Sequence, residues 1–186
     1  MAYWNEIFEN IKEVKDERIL KTGYRGIDDQ INGLKKNEII FIHSKSLETS
    51  RILGNSIGKN ICNYYKNVEF NSEFITKNKN INKENDLILL LEISNKISLN
   101  EIYSKIEKIK NEYIENNIYF IICSKILPDV IDNISIILEI NEEEENESCC
   151  KFKCKTLYPK GKYKKFHLLH IKNELYNMCN EDGSLI

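Results

Sequence analysis

A continuous apolar run, Asp86–Ile93 (D-L-I-L-L-L-E-I), constrains the fold of this 186-residue chain more than any other segment. Such a run, ending in an acid, is typical of a central parallel strand that is buried on both faces. Two further strands are predicted over residues 118–123 and 134–140, where similar apolar runs occur. Strands that alternate with helices give an α/β domain with a mostly parallel core sheet.

Helical patterns lie between these predicted strands. Apolar residues recur at intervals of three and four over residues 49–65 and 98–115, and this spacing predicts an amphipathic helix in each segment. Residues 150–158 and 163–171 instead alternate in polarity around the turn sequence P-K-G-K. They predict an antiparallel β-hairpin at the C-terminal end of the sheet.

The N-terminal residues form a segment of their own. Apolar residues from Trp4 to Val14 repeat with helical spacing, which predicts an amphipathic helix over about residues 3–17. We therefore divide the chain into an N-terminal helix, residues 1–17, and one α/β domain, residues 18–186. The helix either covers the core of this domain or docks on a neighbouring subunit.

Composition excludes several classes of protein. With 41% hydrophobic residues the chain can bury a core, and its net charge of −2 argues neither for nor against nucleic acid. No stretch is apolar for long enough to span a membrane, so no membrane partner is expected. Six cysteines without a secretory signal indicate reduced thiols and a cytoplasmic location.

Three of these cysteines, Cys149, Cys150 and Cys154, precede His167 and His170 and raise the alternative of a metal site. Their spacing fits no common set of zinc ligands. Cys150 and Cys154 also fall on a predicted strand. We therefore expect no metal, and the sequence assigns the cysteine cluster no role.

A polar loop between the short apolar strand of residues 39–42 and the helix after it lies where a phosphate-binding loop, G-x-x-x-x-G-K-[ST], would be expected. The loop consists of His43, Ser44, Lys45, Ser46, Leu47, Glu48, Thr49 and Ser50. Only Ser50 matches the motif.

The residues at the other motif positions oppose phosphate binding. His43 and Glu48 replace the glycines whose backbone N–H groups close on phosphate, and Thr49 replaces the lysine. A carboxylate about 4 Å from a phosphate costs about 4 kcal/mol at an effective dielectric constant of about 20. We expect impaired ATP hydrolysis and no nucleotide cofactor, with ATP and Mg²⁺ as cofactors only if a neighbouring subunit supplies the missing cation.

The segment before this loop, K-T-G-Y-R-G-I-D-D-Q-I-N-G-L, resembles the T-G-x-x-x-L-D-x-x-x-x-G-L segment of the RecA-like motor domain of DnaB-type replicative DNA helicases. It is more distantly similar to KaiC-like and RadA-like ATPases. The matching residues are Thr22, Gly23, Ile27, Asp28, Gly33 and Leu34. The resemblance implies a RecA-like core with a degenerate Walker A motif, shortened between residue 73 and the Asp86–Ile93 run.

The resemblance also implies roles for individual residues. Glu73 takes the place of the catalytic glutamate, and Glu92 that of the Mg²⁺-linked Walker B aspartate. Ser124 and Lys125 stand where a Ser-Gln pair senses the γ-phosphate. The basic finger that such helicases project toward a neighbour's nucleotide corresponds to Lys160, Lys162, Lys164 and Lys165.

Some of these residues also fit a purely structural interpretation. Glu73 also fits a solvated acid at the end of a strand. Lys151, Lys153 and Lys155 share one face of the predicted hairpin, which fits a solvent-exposed face as well as contacts with single-stranded DNA. The acidic residues 142–147 are predicted to form a loop that is solvated, folds against these lysines or meets a basic partner.

These features are consistent with three alternative functions. The first is a non-catalytic interaction or regulatory module in DNA replication or recombination, binding itself or a related RecA-like helicase subunit. The second is an active ATPase of the helicase motor type, completed by a neighbouring subunit, with Ser50, Glu73 and Glu92 as its surviving parts. The third is a single-stranded DNA-binding module that needs no nucleotide.

Overall fold

A mixed eight-stranded sheet organises the part of the chain that the computed structural model describes. The described residues are 18–72, 85–93, 98–114, 116–128, 134–145, 149–158, 165–171 and 178–180. The helix predicted over residues 3–17 lies outside them.

The described residues form three helices and eight strands. The helices are α1 (Arg25–Ile31), α2 (Leu47–Tyr64) and α3 (Leu99–Glu112). The strands are β1 (Ile39–His43), β2 (Val68–Asn71), β3 (Asp86–Ile93), β4 (Ile118–Ser124), β5 (Ile134–Glu145), β6 (Cys149–Tyr158), β7 (Lys165–Ile171) and β8 (Met178–Asn180).

The strand order is β2-β3-β4-β1-β5-β6-β7-β8. The five strands from β2 to β5 in this order are parallel, and β6, β7 and β8 continue the sheet in antiparallel fashion. This arrangement confirms the predicted α/β fold with a mostly parallel core and a C-terminal hairpin, formed by β6 and β7. Strands β1, β3 and β4 therefore end at one side of the sheet, the carboxyl edge, and begin at the opposite side, the amino edge.

Helices cover both faces of the parallel part of the sheet. Helix α2 buries Leu53 and Ile57 against one face, and α3 buries Ile102 and Ile106 against the other. Gly54 brings α2 close to the sheet, because a β-carbon at this position would lie 2.8 Å from both Cys123 Sγ and Leu90 Cδ1. These contacts fix where α2 begins relative to the ends of β1, β3 and β4.

The T-G-x-x-x-I-D motif forms a clasp at the start of the domain. The buried Asp28 carboxylate accepts hydrogen bonds from the Thr22 amide and hydroxyl and from the Gly23 amide, at 2.9–3.1 Å. Helix α1 ends at Ile31 because Asn32 and Gly33 take positive φ values of 55° and 93°.

Residues 142–145 of the acidic segment belong to a strand, contrary to the prediction of a loop from the sequence. Strand β5 continues through Glu145 and pairs with β6. Its charge is compensated from the next two strands, because Glu143 lies 3.8 Å from Lys151 Nζ, 3.6 Å from Lys153 Nζ and 3.1 Å from His167 Nε2. The sequence left three alternatives for this segment: solvation, folding against the lysines, or contact with a basic partner. Glu143 agrees with the second, because it lies against Lys151 and Lys153.

Strand β8 was not predicted, since its three residues, M-C-N, carry no strand pattern. Among the helices in the described ranges, none combines the length and the apolar character needed to cross a bilayer.

Candidate nucleotide-loop site

The predicted phosphate loop lies at the carboxyl edge, between β1 and α2. Strand β1 ends at His43 and α2 begins at Leu47, so only residues 44–46 connect them. The Ser44 amide continues the pairing of β1 with β4 by donating a hydrogen bond to the Ser124 carbonyl at 3.0 Å. The loop is therefore short and held directly on the neighbouring strand.

Four backbone amides of the loop, those of Ser44, Ser46, Thr49 and Ser50, are hydrogen-bonded within the chain. The Ser46 amide donates to Ser44 Oγ at 3.2 Å, and the Ser50 amide donates to the Ser46 carbonyl at 3.3 Å. Ser46 caps α2, because its Oγ accepts a hydrogen bond from the Thr49 amide at 3.3 Å. A side-chain hydroxyl thus lies where a phosphate-binding helix would present its amides to an anion.

The remaining loop side chains point in different directions. Ser50 is fully buried, and its hydroxyl donates to the Leu47 carbonyl at 2.8 Å within the first turn of α2. Thr49 is also buried, Leu47 packs partly against the core, and Lys45 and Glu48 are exposed. The hydroxyl that the resemblance assigns to Mg²⁺ is thus engaged by the helix.

His43 ends β1 beside this loop and is partly buried. Its Nδ1 is buried without a hydrogen-bond partner in the described part of the chain. An imidazole therefore takes up space at the first glycine position of the motif.

An ion pair that the sequence did not reveal joins α2 to β3. Two of the guanidinium nitrogens of Arg51 bind the Glu92 carboxylate. Nε donates to Oε1 at 2.5 Å, and Nη2 donates to Oε2 at 2.8 Å. The side chains are 42% and 30% exposed. The hydrogen bond with Glu92 raises the pKa of Arg51 above its ordinary value. Both carboxylate oxygens of the Walker B-like residue are therefore held by a cation from the protein itself.

Sequence reasoning missed Arg51 because it is separated by 41 positions from its partner. One signal was present in the sequence. Arg51 directly follows Ser50 at the start of a helix, and an acid ends the most apolar strand. Because strands β1 and β3 are parallel and end at the same edge, these two positions meet.

The predicted sensor residues end β4 at the same edge. Ser124 is buried, and its hydroxyl forms a tight turn by donating to the Ile126 carbonyl at 2.8 Å and accepting from the Ile126 amide at 2.9 Å. Lys125 is exposed. Ser124 is thus engaged locally, and Lys125 lies beside the loop.

Of the other predicted site residues, Lys165 alone falls within the described ranges. Glu73, Lys160, Lys162 and Lys164 lie outside the described residues. Lys165 is exposed at the start of β7, which is separated from β1 by β5 and β6.

Within the cysteine cluster, the structure describes the side chain of Cys154 alone. Cys154 faces the core as a free thiol whose pKa is raised by burial. Cys149 and Cys150 belong to β6, and His170 pairs with Cys150 from β7, but their side chains lie outside the description. Within the described residues, no three His, Cys, Asp or Glu side chains form a group that could hold a metal ion.

Two solved structures are similar to this chain. The flagellar accessory protein FlaH from Methanocaldococcus jannaschii superimposes with a TM-score of 0.52 and 12% sequence identity, covering 88% of this chain and 99% of FlaH. The RadB recombinase superimposes with a TM-score of 0.49 and 9% identity, covering 81% of this chain and 95% of RadB. No protein-family model matches the sequence. No curated protein matches it either.

The likeness to FlaH bears on the fold and on nothing finer. FlaH has a RecA-like fold, and this chain has the mostly parallel sheet flanked by helices that belongs to such a fold. The RecA-like part of the resemblance seen in the sequence is therefore confirmed. The chain has the RecA-like α/β fold.

Proposed function

We propose that this chain is a RecA-like domain whose nucleotide site is closed by its own residues, and that it acts as a non-catalytic interaction module. As the sequence resemblance implies, we assign that role to DNA replication or recombination, with a related RecA-like subunit or a second copy among its partners. In this proposal the Walker A motif is degenerate and the domain neither requires nor hydrolyses ATP.

The ion pair between Arg51 and Glu92 is the observation that carries this proposal. Mg²⁺ is bound by oxygen ligands, and in nucleotide sites it depends on one or two carboxylates together with phosphate oxygens. Here both oxygens of Glu92 are bonded to a guanidinium 2.5–2.8 Å away. A metal ion at this position would have to displace a bidentate charge-assisted contact, which disfavours its binding.

The loop gives independent support. A phosphate gains affinity from unpaired amides at the helix N-terminus, and those of Ser46, Thr49 and Ser50 are already hydrogen-bonded within the loop. The exposed Glu48 adds a negative charge in the first turn of α2. Both the donors and the charge therefore oppose a triphosphate.

The DNA-binding alternative has less support. Lys151 and Lys153 lie within 4 Å of Glu143, and Lys155 pairs with Glu139 across β5 and β6. This mixture of charges lowers the positive potential that a phosphate backbone would need. The remaining support for DNA binding is the presence of lysines in the hairpin turn, which lies outside the described residues.

Nucleotide turnover by the full chain tests the proposal. Phosphate release should stay at the background rate with Mg²⁺ and ATP, and the Glu73→Gln variant should give the same rate as the unaltered chain. Turnover that Glu73→Gln abolishes would overturn the proposal and favour an active NTPase. Adding a related RecA-like helicase subunit to the assay extends the test to a site completed in trans.

The interaction role is tested by measuring the mass of the full chain in solution over a range of concentrations, alone and with a candidate helicase subunit. Reversible association that is unchanged by ATP supports the proposal. Association that appears only with ATP contradicts it.

A further inference from the structure

Two neighbouring apolar side chains are exposed at the carboxyl edge, directly after β4. Ile126 is 49% and Leu127 43% exposed, and together with Ile114 they are the large apolar side chains that stand out from the described surface. Isolated exposed apolar residues are common, but adjacent ones at a strand end form a potential anchor for a partner.

The backbone holds these two residues in a fixed arrangement. The Ser124 hydroxyl bonds both the amide and the carbonyl of Ile126, at 2.9 Å and 2.8 Å. Ser124 is itself tied to the loop, because its carbonyl accepts the Ser44 amide. A preorganised surface loses less conformational entropy when a partner binds.

Two lysines flank the apolar pair. Lys45 and Lys125 directly follow the hydrogen-bonded residues Ser44 and Ser124, so they lie on adjacent connections at one edge. Both are exposed, and neither forms an ion pair with a described residue. We call Lys45, Lys125, Ile126 and Leu127 the carboxyl-edge patch.

Among the described residues at this edge, the two patch lysines face one exposed acid, Glu48. The other two acids have basic neighbours, because Glu92 is paired with Arg51 and Glu139 lies opposite Lys155 across β5 and β6. The N-terminus of the 18-residue helix α2 adds a partial positive charge at the same edge. An apolar centre with a basic rim favours a protein partner with apolar and acidic side chains over nucleic acid, whose apolar surface is mainly the flat faces of its bases.

We propose that the carboxyl-edge patch docks an acidic amphipathic segment of another protein. In this arrangement Ile126 and Leu127 receive apolar side chains of the segment, and Lys45 and Lys125 pair with its carboxylates. The inference rests on the proposed function, since the edge that binds nucleotide in an active RecA-like domain is here left to a partner.

Fluorescence anisotropy of a labelled synthetic peptide with the full chain tests this proposal. The probe is a 16-residue amphipathic peptide of leucine and glutamate, and matched peptides carry glutamine or lysine in place of every glutamate. We expect binding of the acidic peptide that weakens by about tenfold or more for the glutamine peptide, which corresponds to about 1.4 kcal/mol. The lysine peptide should not bind.

Two pairs of variants locate the binding surface. Lys45→Glu with Lys125→Glu, and separately Ile126→Ser with Leu127→Ser, should each reduce the affinity for the acidic peptide by about tenfold or more. The matched controls change exposed residues of the same types away from the patch. Lys36→Glu with Lys66→Glu reverses two exposed lysines near the amino edge, and Ile114→Ser removes an apolar side chain that is 75% exposed. Both controls should leave the affinity unchanged.

Several results would overturn the proposal. They are the absence of acidic-peptide binding at low salt, equal losses in the control variants, and tighter binding of single-stranded DNA at the same residues. Self-association of the chain that is lost in the patch variants would also overturn it, because the occupant would then be a second copy. A failure of peptide binding in a chain that neither binds nor hydrolyses ATP would refute the patch and leave the proposed function standing.

Discussion

Strand β3 carries an arginine–acid pair at each end, and the two pairs are built differently. At the amino edge, Arg18 Nη1 donates to Asp86 at 3.0 Å, and at the carboxyl edge Arg51 holds Glu92. The Asp86 side chain is 9% exposed and that of Glu92 30%. Asp86 also accepts a hydrogen bond from Asn117 Nδ2 at 2.8 Å.

The amino-edge arginine has further partners. Arg18 donates to the Lys66 carbonyl at 2.7 Å, lies 5.6 Å from the centroid of the Tyr65 ring, and accepts the Tyr119 hydroxyl at its own carbonyl. The amino-edge pair therefore belongs to a network that fastens the start of the domain onto the sheet. The carboxyl-edge pair joins one helix, α2, to one strand, β3.

The largest expected effect is at the amino edge. Asp86→Ala leaves Arg18 and Asn117 without their acceptor in a largely buried position, and should lower the free energy of unfolding by about 2–3 kcal/mol. Urea denaturation of the unaltered and variant chains measures it. A loss no larger than that for Glu92→Ala would contradict the distinction between the two edges.

Tyr65 offers a pH test of the same edge. Its hydroxyl accepts the Lys21 amide at 2.9 Å, and burial raises its pKa to about 12 from 10.0. Because the folded state holds the phenolic proton more tightly than the unfolded state, this contribution is complete below about pH 10 and is lost as pH rises to about 12.

The variant Tyr65→Phe should lower stability by about 1 kcal/mol at pH 8, since the Lys21 amide loses its partner. Between pH 10 and 12 it should lose less stability than the unaltered chain does, as measured by urea denaturation at each pH. If the stability of the two chains depends on pH in the same way, the Tyr65 hydroxyl is not shielded from solvent in the folded state.

A smaller effect is expected at the carboxyl edge. Glu92→Gln removes the charge from a pair that is partly open to solvent, and should lower the free energy of unfolding by about 0.5–1 kcal/mol at low salt. This difference should shrink toward 1 M salt, since the Debye length then falls to about 3 Å. A loss that does not change with salt would place the pair in a drier environment than the structure shows.

The smallest effect is expected in the antiparallel part of the sheet. Glu143→Gln should cost about 0.3–0.5 kcal/mol, because its lysine partners on β6 remain solvated. Thermal unfolding monitored by circular dichroism measures this change. A loss above that of Glu92→Gln would show that the β5–β6–β7 ladder is more important to stability than the pair at the site.

Local pattern allowed most of the fold to be predicted. The run Asp86–Ile93 forms β3 with the predicted bounds, and its continuous apolar character matches burial on both faces. The clasp around Asp28 was recognised only as a family motif, and the structure supplies its physical cause in three hydrogen bonds. The extension of β5 was missed because glutamates disfavour a strand unless cations on the next strand compensate them.

The site was harder to predict because its decisive contacts join distant positions. Arg51 and Glu92 are 41 residues apart, and Arg18 and Asp86 are 68 apart. No local periodicity reports such pairs. Sequence reasoning could identify the residues that a phosphate loop lacks, but not that Ser46 caps α2 or that Arg51 pairs with Glu92.

Calorimetric titration of the full chain with Mg²⁺ and ATP tests the central claim most directly. At about 1 mM nucleotide, a site with an affinity of about 10 µM would be saturated and would raise the free energy of unfolding by about 2.7 kcal/mol. We predict no binding heat and no stabilisation. Binding of one nucleotide per chain, weakened by Ser46→Ala or Ser50→Ala, would contradict the account of a carboxyl edge closed by Ser46, Arg51 and Glu92.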